Sequence, residues 1–357
     1  MNLYLQIRPM KIAEIEPPGL HSFEPIALEY LLPKTAQNRH LYENGVSRLI
    51  PRLTLKVHSD TETCALLWDR YTKNETLFDL WDFRYAWLKG YGYKQYFYTL
   101  YEGKKPLGVL PLWFNEEDRK YEWIGGYWME GNNFFAEDDR VIDLLLSAVP
   151  LPITLMSIEG VQCARTHHMA PEFKKEEDLK FTKQIGDYSS LDHLLSTFKK
   201  KNRYHLKADH RRIMAQNPTV RHIENDASVL DELFALNIDR FKDEPADDGQ
   251  SVYRDKKQCD AFRETLKGQS LYTCKFIKTS VGDKTAAVDL LISYNGIYYQ
   301  MTGANDVQNF NGIGHFMVYV ELEDAIKNGY KTVDCLQEDH KWKHRYFDGR
   351  EMFVFAK

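Results

Sequence analysis

The sequence predicts an α/β protein built from two copies of one unit, each a mixed, mostly antiparallel sheet flanked by helices. Three observations carry this. The stretch from Tyr298 to Asp334 reads as strand, glycine turn, helix and strand; the same order of elements occurs nearer the N-terminus; and in both places a helix and a hairpin come first. Hairpins make antiparallel pairs, and a strand–helix–strand passage adds a parallel neighbour.

In the C-terminal copy, the aromatic and β-branched residues before Gly303 favour a strand. Ile313, Met317 and Val320, with Val318, Leu322 and Ala325, recur at three and four and give a helix a broad apolar face, which Gly329 closes. Gly312 and Gly314 stand where that helix begins. Bare backbone N–H groups and the positive end of the helix dipole there can hold a phosphate, so a pyrophosphate-bearing ligand fits; a tight turn that needs glycine is the alternative. No Lys-Ser or Lys-Thr follows Gly314, and no G-x-G-x-x-G occurs, which excludes a P-loop and a dinucleotide-binding turn.

The preceding elements of this copy are a hairpin over 271–277 and 285–294 and a strand over 297–301; a last strand covers 332–336. The N-terminal copy repeats the order with an aromatic-rich helix over 78–88, a hairpin over 96–101 and 107–114, a strand over 121–124, a helix over about 138–147 and a strand over 153–158. There Asn132-Asn133-Phe134-Phe135 takes the place of the glycines, so this copy is expected to lack the phosphate loop. Residues 1–50, with a short strand expected at 3–7, form an arm of no assigned role. The expected division is 51–187 for the first unit, 188–216 for a linker helix, and 217–357 for the second unit. The linker helix carries Lys199, Lys200, Lys201, Arg203, Lys207, Arg211 and Arg212. It is either a solvated amphipathic helix or a basic surface for a phosphorylated ligand.

The 357 residues suffice for two cores, and the 43% hydrophobic fraction suits a soluble globular chain. A net charge of −5 excludes a global polycation, leaving any binding of nucleic acid to a local patch. The cysteines at 64, 163, 259, 274 and 335 are odd in number and lack a C-x-x-C pair, which points to reduced thiols, a cytoplasmic address and no zinc site. No apolar run of secretory or membrane-spanning length is present. His167-His168 and His340 with His344 lack an acidic or thiol third ligand at suitable spacing, so no metal is expected.

With Gln308 ahead of the glycines, the segment Gln308, Asn311, Gly312, Ile313, Gly314 and His315 resembles the acyl-CoA loop of the GNAT acyltransferase superfamily, although Gln308 lies four rather than three positions before Gly312. Over residues 52–357 the chain resembles the tandem-GNAT branch with a BioF-like or CelD-like acetyltransferase domain, related to Fem-type aminoacyltransferases. The cues are Trp68, the 78–87 helix, 107–112, Gly125-Gly126, the basic helix, Gly312 with Gly314, Gly329, Asp334 and Trp342-Lys343. Glu338 stands where the family has glycine, and Trp342 where it has tyrosine.

The resemblance implies tandem GNAT-like units and an N- or O-acyltransferase with acyl-CoA as co-substrate, acting on an amine or hydroxyl acceptor such as a cell-envelope or polysaccharide precursor. The alternatives are an aminoacyl-tRNA-dependent Fem-type enzyme, which would use the basic helix, and a non-catalytic module with a decayed fold. It also implies Lys343 near the cofactor phosphate, Tyr346 as proton donor to the thiolate, and the acidic loop containing Asp243 and Glu244 beside a cationic acceptor. Arg203 and Tyr253 complete the acceptor-side candidates.

Acyl transfer from a thioester needs a base, donors for the developing oxyanion and an acid for the leaving thiolate. Asp289 is a charge inside the apolar strand run 287–292, where it needs a partner or a cavity. It is the candidate base, or a structural carboxylate. Asp334, in 332–336, is the second catalytic candidate, although a structural role is the preferred reading there, since an aspartate at a strand end often fixes a loop.

Overall fold

The structure, a computed structural model, describes residues 24–35, 38–43, 46–166, 172–242, 251–268 and 271–357. The strand expected at 3–7 lies outside them. Burial alternates along the flanking strands and is continuous along the central two in a first sheet in which β1 (Ile26–Ala27), β2 (Leu53–His58), β3 (Gln95–Glu102), β4 (Lys105–Asn115) and β5 (Lys120–Trp123) neighbour one another in order. β6 (Phe135–Ala136) pairs with β4. Helices α1 (Leu28–Leu31), α2 (Arg39–Glu43), α3 (Thr61–Tyr71), α4 (Trp81–Tyr91) and α5 (Asp139–Ala148) accompany it. Asp60 and Asp138 cap α3 and α5, accepting from the N–H groups of Thr63 (2.8 Å) and Arg140 (2.9 Å). The helix expected from Phe78 starts at Trp81 instead. The Asp79 carboxyl accepts from the N–H groups of Glu75 (3.1 Å) and Thr76 (2.9 Å) and closes a separate turn first.

A chain passage through β7 (Thr154–Glu159), α6 (Gly160–Cys163) and β8 (Phe173–Lys175) leads to the second half. The second sheet runs β10 (Thr219–Glu224), β11 (Thr273–Val281), β12 (Lys284–Tyr294), β13 (Ile297–Asn305), β14 (Thr332–Asp334), β9 (Lys180–Gln184) and β15 (Asp348–Arg350). Only β13 and β14 pair in parallel. One face packs on α7 (Leu191–Ser196), α8 (Lys200–Met214) and α11 (Ile313–Lys327). The other packs on α9 (Ala227–Arg240) and α10 (Lys256–Lys267), and this core also takes in Phe83 and Trp87 of α4. The last strand, β16 (Met352–Ala356), returns to the first half and pairs with β7 and β8.

The order helix, hairpin, strand, helix, strand therefore recurs, within an α/β fold of mostly antiparallel sheets flanked by helices. Three further details differ from expectation. β9 and β15 belong to the second sheet, so Lys180–Gln184 lies with the C-terminal half although it precedes residue 187. The linker helix expected within 188–216 breaks at Thr197–Lys199, where Phe198 turns inward against the Tyr346 ring (5.6 Å between centroids). β7 leaves the first sheet: it makes no ladder with β5, and a single parallel bridge joins Tyr121 to Ile153 just before β7 begins.

The halves are locked by close contact. α4 crosses α10 at Gly90, where a Cβ would overlap the backbone of Ala261, so glycine is needed there for approach rather than for φ. Tyr299 accepts a hydrogen bond from the N–H of Leu77 (3.1 Å), and Tyr294 donates to the carbonyl of Asn74 (2.8 Å). Among the described residues no helix is long and apolar enough to cross a membrane.

Candidate functional site

β13 and β14 pair only over Ile297–Tyr299 and Thr332–Asp334; from Gln300 to Asn305 β13 runs on without β14 beside it. At the same point the register between β12 and β13 slips, Leu290 facing Thr302 and Leu291 facing Gln300, which leaves Met301 as an extra residue. A bulge beside a parted strand pair re-aims side chains, and Asp289 sits next to it, opposite Gly303. A Cβ on Gly303 would overlap the Asp289 carboxyl, so the missing side chain is what makes room for that carboxyl.

Asp289 is half-buried and faces α11, where it hydrogen-bonds Glu321. Gln300 Nε2 donates to Glu321 Oε2, and the Cys335 thiol donates to Gln300 Oε1 (2.6 Å). Burial raises the Asp289 carboxyl to about 7, with the Glu321 hydrogen bond opposing it. Glu321, fully enclosed, lies well above the usual carboxylate range because of burial and the neighbouring Asp289 charge. Of the two, Glu321 is the more enclosed and is pushed further from its charged form. Burial likewise raises the Cys335 thiol, which stays protonated.

The glycine loop lies at the other end of the same helix face. Gly312 caps α11 at φ 93°, and the N–H of Ile313 closes a turn onto the carbonyl of Phe310 (3.0 Å), which is buried as an anchor. Gly314 has an ordinary φ and open space, its nearest would-be contact being Asn305 Nδ2 at 3.7 Å. Gln308 and Asn311 are exposed, Ile313 is buried and His315 is half-buried. The sequence reading missed Asp209, the acid in the basic run of α8. A Cβ on Gly312 would stand 2.9 Å from its carboxyl, which accepts from Arg212 (2.7 Å) and meets His315 Nδ1 (2.7 Å). Tyr346 closes the cluster: its buried ring stands edge-on to His315 at 5.8 Å, and its hydroxyl has no hydrogen-bond partner among the described residues. Burial pushes that hydroxyl up to about 12. His315 and Glu321 are six residues apart, about 9 Å along the helix axis, so Tyr346 adjoins the loop and not the carboxylate pair.

Asp334 and Lys343 occupy a third place, the seam between the halves. Lys180 Nζ bridges Asp334 (2.9 Å) and Glu130 (3.2 Å), all three buried, with the Phe78 ring 5.3 Å from the ammonium. The N–H groups of Leu336 and Gln337 donate to Asp334 (2.9 Å) and Glu130 (2.6 Å). Burial alone would lower the Lys180 ammonium, but the two carboxylates outweigh it and hold it raised. Lys343, expected at a cofactor phosphate, is buried instead. Its Nζ donates to the carbonyls of Cys335 (2.5 Å) and Gln337, pinning a loop in which Leu336, Glu338, His340 and Lys341 all have positive φ.

On the acceptor side, Tyr253 is buried with its hydroxyl on Thr302 Oγ1, and burial raises it. Arg203 donates to the carbonyl of Ser196 (3.0 Å), tying α8 to α7. Asp243 and Glu244 lie outside the described residues. In the first half, the matching gap between β5 and β7 is filled by side chains. Arg84 donates to the carbonyls of Phe78 (2.8 Å) and Ile124 (2.9 Å) and to Asn132 (2.7 Å), while Asn132 donates to those of Met129 (2.8 Å) and Met156 (2.9 Å). Among the described residues no group of three or more His, Cys, Asp or Glu is placed to hold a metal.

Residues 200–344, which include Asp289, the glycine loop and Lys343, match the family model described as an acetyltransferase (GNAT) domain. No curated protein matches. Among solved structures, FemX has a TM-score of 0.53 at 13% identity, covering 85% of this chain and 97% of its own. L-PGS from Bacillus licheniformis has 0.53 at 13%, covering 84% and 92%. A tandem GNAT protein from the clavulanic acid biosynthesis pathway has 0.51 at 8%, covering 85% and 97%. At such identities the likeness is one of fold. Residues 200–344 therefore match a GNAT acetyltransferase domain, and the chain as a whole has a tandem GNAT-like fold.

Proposed function

We propose that this chain is an acyltransferase that moves an acyl group from acyl-CoA to an amine or hydroxyl acceptor. The observation that carries the reading is Gly312: inside the segment that matches the GNAT family, a glycine at φ 93° turns the chain into a 15-residue helix. Gly314 in its first turn carries no side chain and has open space beside it, which leaves room for a pyrophosphate at the helix start even though the Ile313 N–H is taken by Phe310. In the reaction, Asp289 takes the acceptor's proton and the freed lone pair attacks the thioester carbonyl carbon. The new C–N or C–O bond forms, the C–S bond breaks, and the thiolate leaves to take a proton from water. Tyr346 belongs to the loop end of this site, where it lines the cofactor seat, and we leave it out of the proton path. Asp334 and Lys343 serve to hold the seam between the halves. The first unit, its gap filled by Arg84 and Asn132, serves as scaffold.

The narrower form of the proposal takes a cell-envelope or polysaccharide precursor as acceptor, in keeping with the fold shared with FemX and L-PGS. One observation favours a second donor, aminoacyl-tRNA. The Asp209 carboxylate beside Gly312 opposes a pyrophosphate there, while exposed Lys200, Lys201, Arg211 and Arg212 on α8 suit a nucleic-acid backbone. The test is thiol release by the purified protein with a panel of acyl-CoAs and amino-sugar acceptors. Acceptor-dependent release of free CoA is the expected result. No release with any acyl-CoA, alongside transfer from aminoacyl-tRNA, would replace the donor.

A further inference from the structure

We infer that Glu321 and Gln300 are positioning residues that hold the Asp289 carboxylate in its reactive state, a relay that rests on reading Asp289 as the base. The inference starts from an oddity of α11. Ile313, Phe316, Met317, Leu322 and Ala325 make its buried stripe, and Glu321 falls within that stripe, one turn after Met317 and one before Ala325. A carboxyl enclosed there is costly unless its oxygens are satisfied. They are: one accepts from Gln300 Nε2, whose own Oε1 is held by the Cys335 thiol, and the carboxyl hydrogen-bonds Asp289.

Directionality follows from the donors. Gln300 must present its amide NH₂ to Glu321, because its carbonyl oxygen is taken by the thiol, so the Glu321 oxygen on that side is an acceptor. Two carboxylates in contact cannot both be charged, and Glu321 is the more enclosed, so the shared proton sits on Glu321 and points to Asp289. One Asp289 oxygen is thereby fixed and the half-buried side of the carboxyl is left to meet an acceptor. The carboxyl itself fills the space that a Cβ on Gly303 would take. The other charged and titratable groups near the pair are accounted for. Asp324, one turn further along α11, is bound by Lys275 and by Tyr298 (2.9 Å), with His222 3.4 Å away, and Cys335 faces the pair from the end of β14.

The relay makes a contrast between two substitutions at one position. Glu321→Gln keeps both contacts, since an amide accepts from Gln300 and donates to Asp289, so it should retain most of the wild-type kcat/KM and leave the acid limb of the pH profile in place. Glu321→Leu removes the donor and should move that limb upward by about one pH unit or more. Gln300→Leu, should Glu321→Leu fail to fold, frees the Glu321 carboxyl from its anchor and should move the limb the same way. An infrared readout is independent of turnover. A protonated-carboxyl band should persist at pH 8 in the wild type and in Asp289→Asn, and vanish in Glu321→Gln. An unchanged acid limb in both leucine variants, or no such band in the wild type, overturns the relay. Full activity in Asp289→Asn with the band intact would instead remove the base reading, and the relay's catalytic role with it.

Discussion

Asp289→Asn is expected to lower kcat/KM by roughly two orders of magnitude or more, the usual loss on removing a general base. The same carboxyl fixes the pH dependence. With Asp289 held at about 7 in the folded protein, kcat/KM should rise through an acid limb near that pH, and the Asn variant should lack the limb. Stability supplies a second, opposite-signed effect. A carboxyl raised from 3.8 to about 7 on folding favours the folded state fully below about pH 4, and that contribution is lost as pH rises to about 7. The isosteric amide carries no such term, so above pH 7 the variant should melt at least as high as the wild type while turning over far more slowly. Measured together, the melting curve and the pH–rate profile separate a base from a structural carboxylate. Unchanged turnover with a lower melting temperature would make Asp289 structural.

Lys180→Met should destabilise the protein by roughly 3–5 kcal/mol at neutral pH, because it leaves Glu130 and Asp334 buried at the seam without their cation. Glu130 is raised even with Lys180 present, burial outweighing the ammonium, and loss of the cation raises it further. A carboxyl raised on folding stabilises at low pH and loses that contribution as pH rises. The deficit should therefore shrink as the solution is acidified and Glu130 takes up a proton. Denaturant melts of both proteins across pH check this; a deficit that stays constant with pH would show that lost packing, not stranded charge, sets it.

The residues that were readable in sequence share a local signature. Gly312 and Gly314 interrupt an apolar pattern at a helix start, and Asp289 breaks an apolar strand run, so both stood out and both lie where the chain changes direction or parts from a neighbour. Glu321 had a comparable signal, a carboxyl one turn from Met317 and Ala325 on the buried stripe, but helix surfaces are full of acids and only packing distinguishes the inner one. Asp209 was hidden within a basic run, and its place beside Gly312 depends on α8 crossing α11, a contact between residues about a hundred positions apart. The same distance problem concealed Lys180. Its strand pairs with residues 332–334 and 348–350, so no local pattern could assign it to the second sheet. Lys343 was misleading for the converse reason. The polar run 338–345 reads as exposed, whereas carbonyls turned inward by positive-φ residues draw the ammonium into the interior.

The most direct measurement of the account is the CoA-dependent shift in melting temperature of the wild type and of Gly314→Glu. If the N-terminus of α11 holds the pyrophosphate, CoA at about a hundred times its dissociation constant should stabilise the wild type by roughly 2.7 kcal/mol. Gly314 has an ordinary φ and room for a Cβ, and an acid in the first turn of a helix suits its dipole, so the variant should fold. Its carboxylate would stand at the phosphate seat and repel the ligand, and the shift should disappear. An unaltered shift in a folded Gly314→Glu protein would contradict the account. CoA would then be held elsewhere, along the basic face of α8 by charge, and its shift would fade as salt is added.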